Sequence, residues 1–321
     1  MKKIISIALI IVILATTCLA LTGCPDNNTN KKYVVGVCQL TQHPALDQAT
    51  EGFIKALKDE LGEENVEIDV QNASGDTNVC NTIVSSFVGK NVDLIMANAT
   101  PALQSAYNAT TTIPILGTSI TEYGVALDVT LNDGVVGGNV SGTSDLASLE
   151  QQANMIFEFY PNIKKVGIVY CSAEANSAYQ VAEMKRFLGN RGVEVKEYAF
   201  SDSNDIAAVV TAACSDCKAL YIPTDNTAAS CAETIGNIVS ENKVPVFAGE
   251  ENTAKGCGIA SLSISYYDLG VTTGKMAAKI LKGEADISTM KIEYAPATKK
   301  YNKAMCELLG IVVPEGYIEI E

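Results

Sequence analysis

Short β-branched runs in this chain are repeatedly followed by hydroxyls, amides and carboxylates. Asn98-Ala99-Thr100-Pro101 follows the run at 92–96, and Gly117-Thr118-Ser119 follows the one at 113–116. Ser172, Glu174, Asn176 and Ser177 come after 166–170, Pro223-Thr224-Asp225-Asn226 after 219–222, and Ala248-Gly249-Glu250 after 244–247. Lysine and arginine are absent from all of these positions. Taken singly, each Ser, Thr or Asn reads as a helix cap. The recurrence of acids says more. Asp225 and Glu250 read as a pair for an ammonium group, with Glu174 as a further contact. Helix starts at Thr100 and Asn176-Ser177 would offer backbone N–H groups to a carboxylate. The two halves together suit a zwitterion without net charge.

No catalytic constellation accompanies them. His43 is the sole histidine, and Pro44 follows it. A place lining the site or capping a helix is expected, because general-base chemistry needs a base held by a third group and no Gly-x-Ser-x-Gly elbow is present. Gly134-Val135-Val136-Gly137-Gly138 lacks the Gly-Lys-Ser/Thr of a phosphate loop and reads as a turn near a crossing between domains. Cys214-Ser215-Asp216-Cys217 is a single close pair without a second pair or a nearby histidine, so free thiols or a local disulfide are expected rather than zinc or redox chemistry. Cys38 and Cys171, in or beside apolar runs, read as buried thiols. No metal or cofactor is expected, and the chain reads as a binding protein rather than an enzyme.

The elements that must carry these residues alternate regularly. Besides the runs above, 66–70 and 193–200 read as strands. Residues 52–61 read as a helix with Phe53, Ile54, Leu57 and Leu61 on one face. Further helices are expected at 78–88, from Pro101 onward, and at 146–159, 177–188, 206–213 and 228–239. Alternating βα units demand parallel sheets with helices on both faces. Two such series, with a weak break around 132–143, predict an α/β protein of two doubly wound parallel-sheet lobes. Its ligand cleft would lie between them, beyond the carboxyl ends of the strands.

Met1-Lys2-Lys3 opens an apolar run, 4–21, that ends at Leu21-Thr22-Gly23-Cys24. Two lysines, an apolar core and a small residue before cysteine resemble a bacterial lipoprotein signal peptide with its lipobox. The lysines stay on the cytoplasmic face while the run enters the bilayer. An ordinary secretory signal or transmembrane anchor is the alternative, since the run is about long enough to span. The cysteine, however, stands where the run stops and a polar tether begins. The expected layout is a signal at 1–23, a lipidated Cys24 with its tether over 24–32, and a mature protein outside the cytoplasm held to the membrane by lipid. Lys2 and Lys3 leave with the signal and no acid does, so 21 basic residues face 37 acidic ones and the mature charge is near −16. Such a surface disfavours nucleic acid. Roughly 290 ordered residues suit about two domains.

With these residues in hand, the chain resembles the substrate-binding lipoproteins of ABC transporters, specifically the tryptophan/tyrosine group with the type I periplasmic-binding fold. The resemblance rests on the lipobox at 21–24, His43-Pro44-Ala45-Leu46-Asp47, Ala99-Thr100-Pro101, Gly142-Thr143-Ser144-Asp145, Glu174-Ala175-Asn176-Ser177, Pro223-Thr224-Asp225-Asn226 and Tyr266-Tyr267-Asp268-Leu269-Gly270. It implies two lobes, 33–141 with about 262–292 and 142–261 with about 293–321, joined by three crossovers. They would close on one amino acid, tryptophan, tyrosine or phenylalanine, and deliver it to an ABC permease and its ATPase. Ligand contacts are then expected from Gln39, His43, Thr100, Ser119, Asp145, Glu174, Asn176, Ser177, Asp225, Asn226, Glu250 and Tyr266, with Asp225 holding the ammonium. Tyr266 and Tyr267 would stack on the ligand or pack a helix start. Cys214 and Cys217 depart from the family pattern. Another small ligand (a nucleoside, sugar or short peptide) is the alternative, although the chain has no tryptophan to stack on a sugar.

Overall fold

The computed structural model describes residues 32–321. The expected signal, lipobox, Cys24 and tether up to residue 31 lie outside the described residues. The first series is β1 (Tyr33–Gln39), α1 (Pro44–Leu61), β2 (Val66–Asn72), α2 (Thr77–Gly89), β3 (Leu94–Asn98), α3 (Thr100–Ala109), β4 (Ile115–Ile120), α4 (Tyr123–Leu127) and β5 (Val140–Ser144). The second begins with α5 (Leu149–Phe159), β6 (Lys165–Cys171), α6 (Ala175–Gly189), β7 (Glu194–Phe200), α7 (Ile206–Asp216) and β8 (Leu220–Ile222). It continues with α8 (Asn226–Ser230), α9 (Ala232–Asn242), β9 (Val246–Ala248), α10 (Glu251–Cys257) and β10 (Ala260–Ser263). The chain ends with α11 (Tyr266–Leu281), β11 (Glu293–Tyr294), β12 (Thr298–Tyr301), α12 (Lys303–Leu309) and β13 (Ile318–Glu319).

These strands make two sheets. The first has the order β11-β5-β4-β3-β1-β2 and is parallel throughout. The second has the order β13-β12-β10-β9-β8-β6-β7, with β12 antiparallel to β10 and every other pairing parallel. The inner strands are buried on both faces, which is why they read as continuous apolar runs rather than alternating ones. On one face of the first sheet, Val35, Val37, Leu94 and Met96 meet Phe53 and Leu57 of α1 and Met276 of α11. On the other, Ile95 and Ile115 meet Val84 and Phe87 of α2 and Leu103 of α3. Phe53 is fully buried, so truncating it to alanine would cost about 3–5 kcal/mol. The second sheet packs Ile168, Leu220 and Phe247 against Met155 of α5, Met184 of α6, Val210 of α7, Val239 of α9 and Met305 of α12.

Helices α1 and α11 touch backbone to backbone. A Cβ added at Gly270 would lie 2.0 Å from the Ala49 carbonyl oxygen, and one at Gly52 would lie 2.2 Å from that of Tyr267. Glycine at both contacts lets the two helices approach, and their N-terminal ends carry His43 and Tyr266.

In each sheet the first strand of the series has its two successors on opposite sides: β2 and β3 flank β1, and β7 and β8 flank β6. Ligands of such sheets bind beyond the carboxyl ends at this reversal. The chain passes between the sheets three times, after β5, after β10 and after β11.

Two details differ from the sequence reading. Strand β5 carries the first sheet through Ser144, and β11 pairs with it, so the passages fall after 144 and 294 rather than at 141/142 and 292/293. The glycines at 134–138 form turns as expected, bridged at Asn132–Val135 and Gly137–Val140, and lead into β5 shortly before the first passage. The helix expected at 228–239 is broken at Cys231, where φ −109° and ψ 15° leave the helical range. Cys214 and Cys217 are buried free thiols, as are Cys38 and Cys171. Among the described residues no helix is long and apolar enough to cross a membrane.

Candidate functional site

The two strand reversals bring four segments together. His43 is the N-cap of α1, just past β1, and Ala99 is the N-cap of α3, just past β3. Glu174 stands at the N-cap position of α6 past β6 without capping it through its side chain, and Asp225 caps α8 past β8. Pro101, Glu174 and Asn226 share a cavity of about 500 Å³ with Leu40, Thr41 and Cys171. Residues from both sheets therefore line one space.

On the first-sheet side, the start of α3 has no side-chain cap, and Ala99 sits at φ 88°, a left-handed conformation that alanine rarely adopts. Ser119, at φ 56° beside the register break in β4, is buried and its hydroxyl has no partner. Strain of this kind persists only where the surroundings impose it. Thr100 opens α3 and is buried, so the first-turn N–H groups, the positive end of the helix, are presented without a side-chain acceptor. Gln39 is occupied within its own half: Nε2 donates to Asp47 Oδ1 at 2.7 Å and Oε1 accepts from Thr50 at 2.6 Å. Asn98 Nδ2 extends this network to the Leu46 carbonyl and Thr50 Oγ1.

The four candidate acids divide into two kinds. Glu174, Asp225 and Glu250 are largely occupied by protein donors. Glu174 accepts from the backbone N–H groups of Asn226 and Thr227 at 3.0 and 2.9 Å, from Asn226 Nδ2 at 2.6 Å, and from Thr227 Oγ1 at 2.8 Å. Asp225 accepts from the Cys171 N–H at 2.6 Å and the Ala228 N–H at 2.8 Å. Burial, with the Glu174 charge second, pushes its carboxyl up to about 7. Glu250 accepts from the Asn252 N–H at 2.7 Å and from the Thr253 N–H. Asp145 differs. Its Oδ2 accepts from the Tyr266 hydroxyl at 2.9 Å, while its buried Oδ1 has no partner. Burial pushes this carboxyl up to about 6, against the pull of the Tyr266 and Thr121 hydroxyls.

On the second-sheet side, Asn176 Nδ2 donates to the Thr224 carbonyl at 2.9 Å, and Asn176 Oδ1 has no partner. Ser177 is fully buried beside it. Asn226 Oδ1 lies 3.5 Å from His43 Nε2 and joins the two halves. Tyr266 is buried with its hydroxyl on Asp145, while the Tyr267 backbone packs against Gly52.

The sequence thus singled out several residues that meet here, but only part of the polar frame behind them. Gln180 bonds Thr224 through both ends of its amide, and Asn98, Thr50 and Asp47 form the wall behind Gln39. Gln180 and Thr50 lie inside helices, where their types carry no positional signal, whereas Asn98 and Asp47 stand in segments quoted above without being singled out as site residues. Among the described residues no cluster of three His, Cys, Asp or Glu side chains could hold a metal ion.

Residues 34–319 match the family described as ABC transporter substrate binding protein. The chain is 36% identical over 279 residues to a tyrosine-binding protein of Clostridioides difficile strain R20291, a match covering 83% of this chain and 81% of that one. Among solved structures it is similar to an ABC domain from Streptococcus pneumonia in complex with L-Trp, at 34% identity and TM-score 0.84, covering 88% of this chain and 96% of that one. It is also similar to the ligand-free, open form of a substrate-binding protein with adhesive properties from Clostridium difficile, at 35% identity and TM-score 0.68, covering 90% and 100%. A double α/β architecture of the type I periplasmic-binding kind, polar residues gathered at both strand reversals and a family match over nearly all described residues agree: the chain belongs to the ABC transporter substrate-binding proteins.

Proposed function

We propose that this protein captures an aromatic amino acid between two lobes, each built on one sheet, and passes it unchanged to an ABC permease and its ATPase. In this reading the ligand carboxylate meets the uncapped start of α3 at Thr100 and the Ser119 hydroxyl. The ligand ammonium meets Asp145. The observation that carries the reading is the bare Asp145 Oδ1, because a buried carboxylate with one oxygen unpaired and no cation beside it is costly and asks for a partner. Asp225, the acid first expected in this role, already has both oxygens on backbone N–H groups and is read here as the cap that shapes the floor. His43, Glu174, Asn176, Ser177, Asn226, Glu250 and Tyr266 complete the surround, with Gln39 behind it.

Two comparisons support this reading. The similar proteins named above are called tyrosine-binding in one case and were solved with L-Trp in another. At nearly equal identity, the chain superposes better on the L-Trp complex than on the ligand-free open form, as expected of closed lobes. Proteins of this family work outside the cytoplasm, and we assign the anchor to lipid on Cys24 after removal of 1–23. A thermal-shift screen of the twenty amino acids, with nucleosides and sugars alongside, tests the ligand class. Binding to the folded state alone raises stability by about 2.7 kcal/mol at a hundredfold excess over Kd. A shift for an aromatic amino acid supports the proposal, and a shift only for a nucleoside or sugar ends it.

A further inference from the structure

The geometry points to a second ligand site, at the opposite end of the second sheet from the cleft, that takes a single anionic amphiphile, an acyl chain ending in a carboxylate. The site is a cavity of about 510 Å³, within the range of small-molecule pockets. Phe159, Tyr160, Pro161 and Ile163, from the end of α5 and the turn after it, give it apolar walls. Lys164, Lys165 and Lys218 line it as well, and no acid does.

Lys165 opens β6, and Lys218 stands just before β8. These strands are parallel neighbours, with Gly167 beside Leu220, so both lysines come to the amino ends of the sheet. The cleft residues lie beyond the carboxyl ends. The seven residues of β6 separate the two places by about 20 Å, so a ligand here leaves the cleft free.

A group of lysines beside one apolar cavity stands out in so acidic a chain, and like charges held together favour a bound anion. Lys165 has its anions, Asp216 at 2.7 Å and Glu194 at 3.5 Å. Lys164 and Lys218 pair with no acid among the described residues. Glu158, next to Phe159 in sequence, is held by Lys299 at 2.6 Å and by the Tyr317 hydroxyl at 2.8 Å. Two exposed cations are thus left for an anion from outside. The walls are set in advance. The Phe159 ring meets Phe247 edge-on at 5.4 Å and Tyr317 at 5.1 Å, and Tyr160 meets Phe247 at 6.1 Å. Little ordering cost is then left to binding. A concave site suits one molecule, whereas a bilayer asks for apolar side chains that protrude into it.

The test is titration of the mature chain in its Cys24→Ser form, so that no detergent competes, with octanoate, hexanoate and octanol. Calorimetry reads affinity, and isotope-labelled amide spectra read the place. Octanoate should bind one-to-one and shift the amides of 159–165 and Lys218 rather than those of the cleft. Each buried methylene is worth about fourfold, so hexanoate should bind about tenfold more weakly. Octanol should bind about three- to tenfold more weakly, the worth of two exposed ion pairs. Lys164→Gln with Lys218→Gln should bring octanoate to the level of octanol without lowering the melting temperature. Equal affinities for octanoate and octanol, shifts confined to the cleft, or an unchanged octanoate affinity in the double variant would overturn the proposal. Binding to phosphatidylglycerol vesicles without binding of free octanoate would make this face a membrane surface and overturn it too. No octanoate binding at all has the same force, and none of these results touches the reading of the cleft.

Discussion

The Tyr266 hydroxyl donates to Asp145 Oδ2 at 2.9 Å across 121 residues of sequence, and the adjacent Oδ1 has no partner. One oxygen is held by the protein and the other is presented. Asp145→Asn preserves shape and removes charge, so it should cost about 2–5 kcal/mol of ligand binding, on the order of thirtyfold or more in affinity. Tyr266→Phe removes only the positioning bond and should cost less, about 1.5–3 kcal/mol. Calorimetric affinities of the two variants check this order. An Asp145→Asn protein that binds like wild type would remove the ammonium site from this carboxylate.

The same burial sets the pH dependence. An acid whose pKa is raised by folding binds its proton more tightly in the native state than in the unfolded chain. The stability so contributed is complete below the ordinary carboxylate range. It is lost as pH rises through about 6 for Asp145 and about 7 for Asp225. Ligand binding runs the other way, because an ammonium pairs with the ionised carboxylate. Affinity should weaken as pH falls below about 6, with a proton released on binding there, and the profile should flatten in Asp145→Asn. Titrations in buffers of different ionisation enthalpy read both quantities. A pH-independent affinity between 5 and 8 would contradict the assignment.

Asp225→Ala separates capping from ligand contact. It removes the acceptor for the Ala228 N–H at the start of α8 and strands the Cys171 N–H, so stability should fall by about 1–3 kcal/mol. Affinity at a temperature where the variant is folded should change less than in Asp145→Asn. Unaltered melting with binding abolished would return the ammonium role to Asp225.

Much of this arrangement was legible in the sequence, and the rest was hidden for definite reasons. Parallel strands buried on both faces announce themselves as apolar runs, so β1, β3, β6 and β8 and the polar residues after them could be read directly. A helix cap and a ligand contact, however, draw on the same residue types. Only hydrogen-bond geometry separates Asp225, with both oxygens occupied, from Asp145, with one free. Ala99 and Ser119 gave no sign of positive φ, because glycine is the usual marker of that conformation. The edge strand β11 spans two residues, too few for any periodicity, so the boundary at 292/293 missed it.

The anchor has its own test. Cys24→Ser, expressed in the native host, should carry no lipid and should either be released or remain as uncleaved precursor in the membrane. A single acyl chain holds weakly, at about 0.8 kcal/mol per buried methylene, so stable retention should require more than one. Lipid still attached to the variant would refute the assignment of Cys24.

The most direct measurement is a calorimetric titration of the mature chain with L-tyrosine and L-tryptophan, followed by recovery of the ligand. The account predicts saturable one-to-one binding of at least one of them, with the amino acid recovered unchanged. No heat with any aromatic amino acid, together with saturable binding of a nucleoside or sugar, would contradict it.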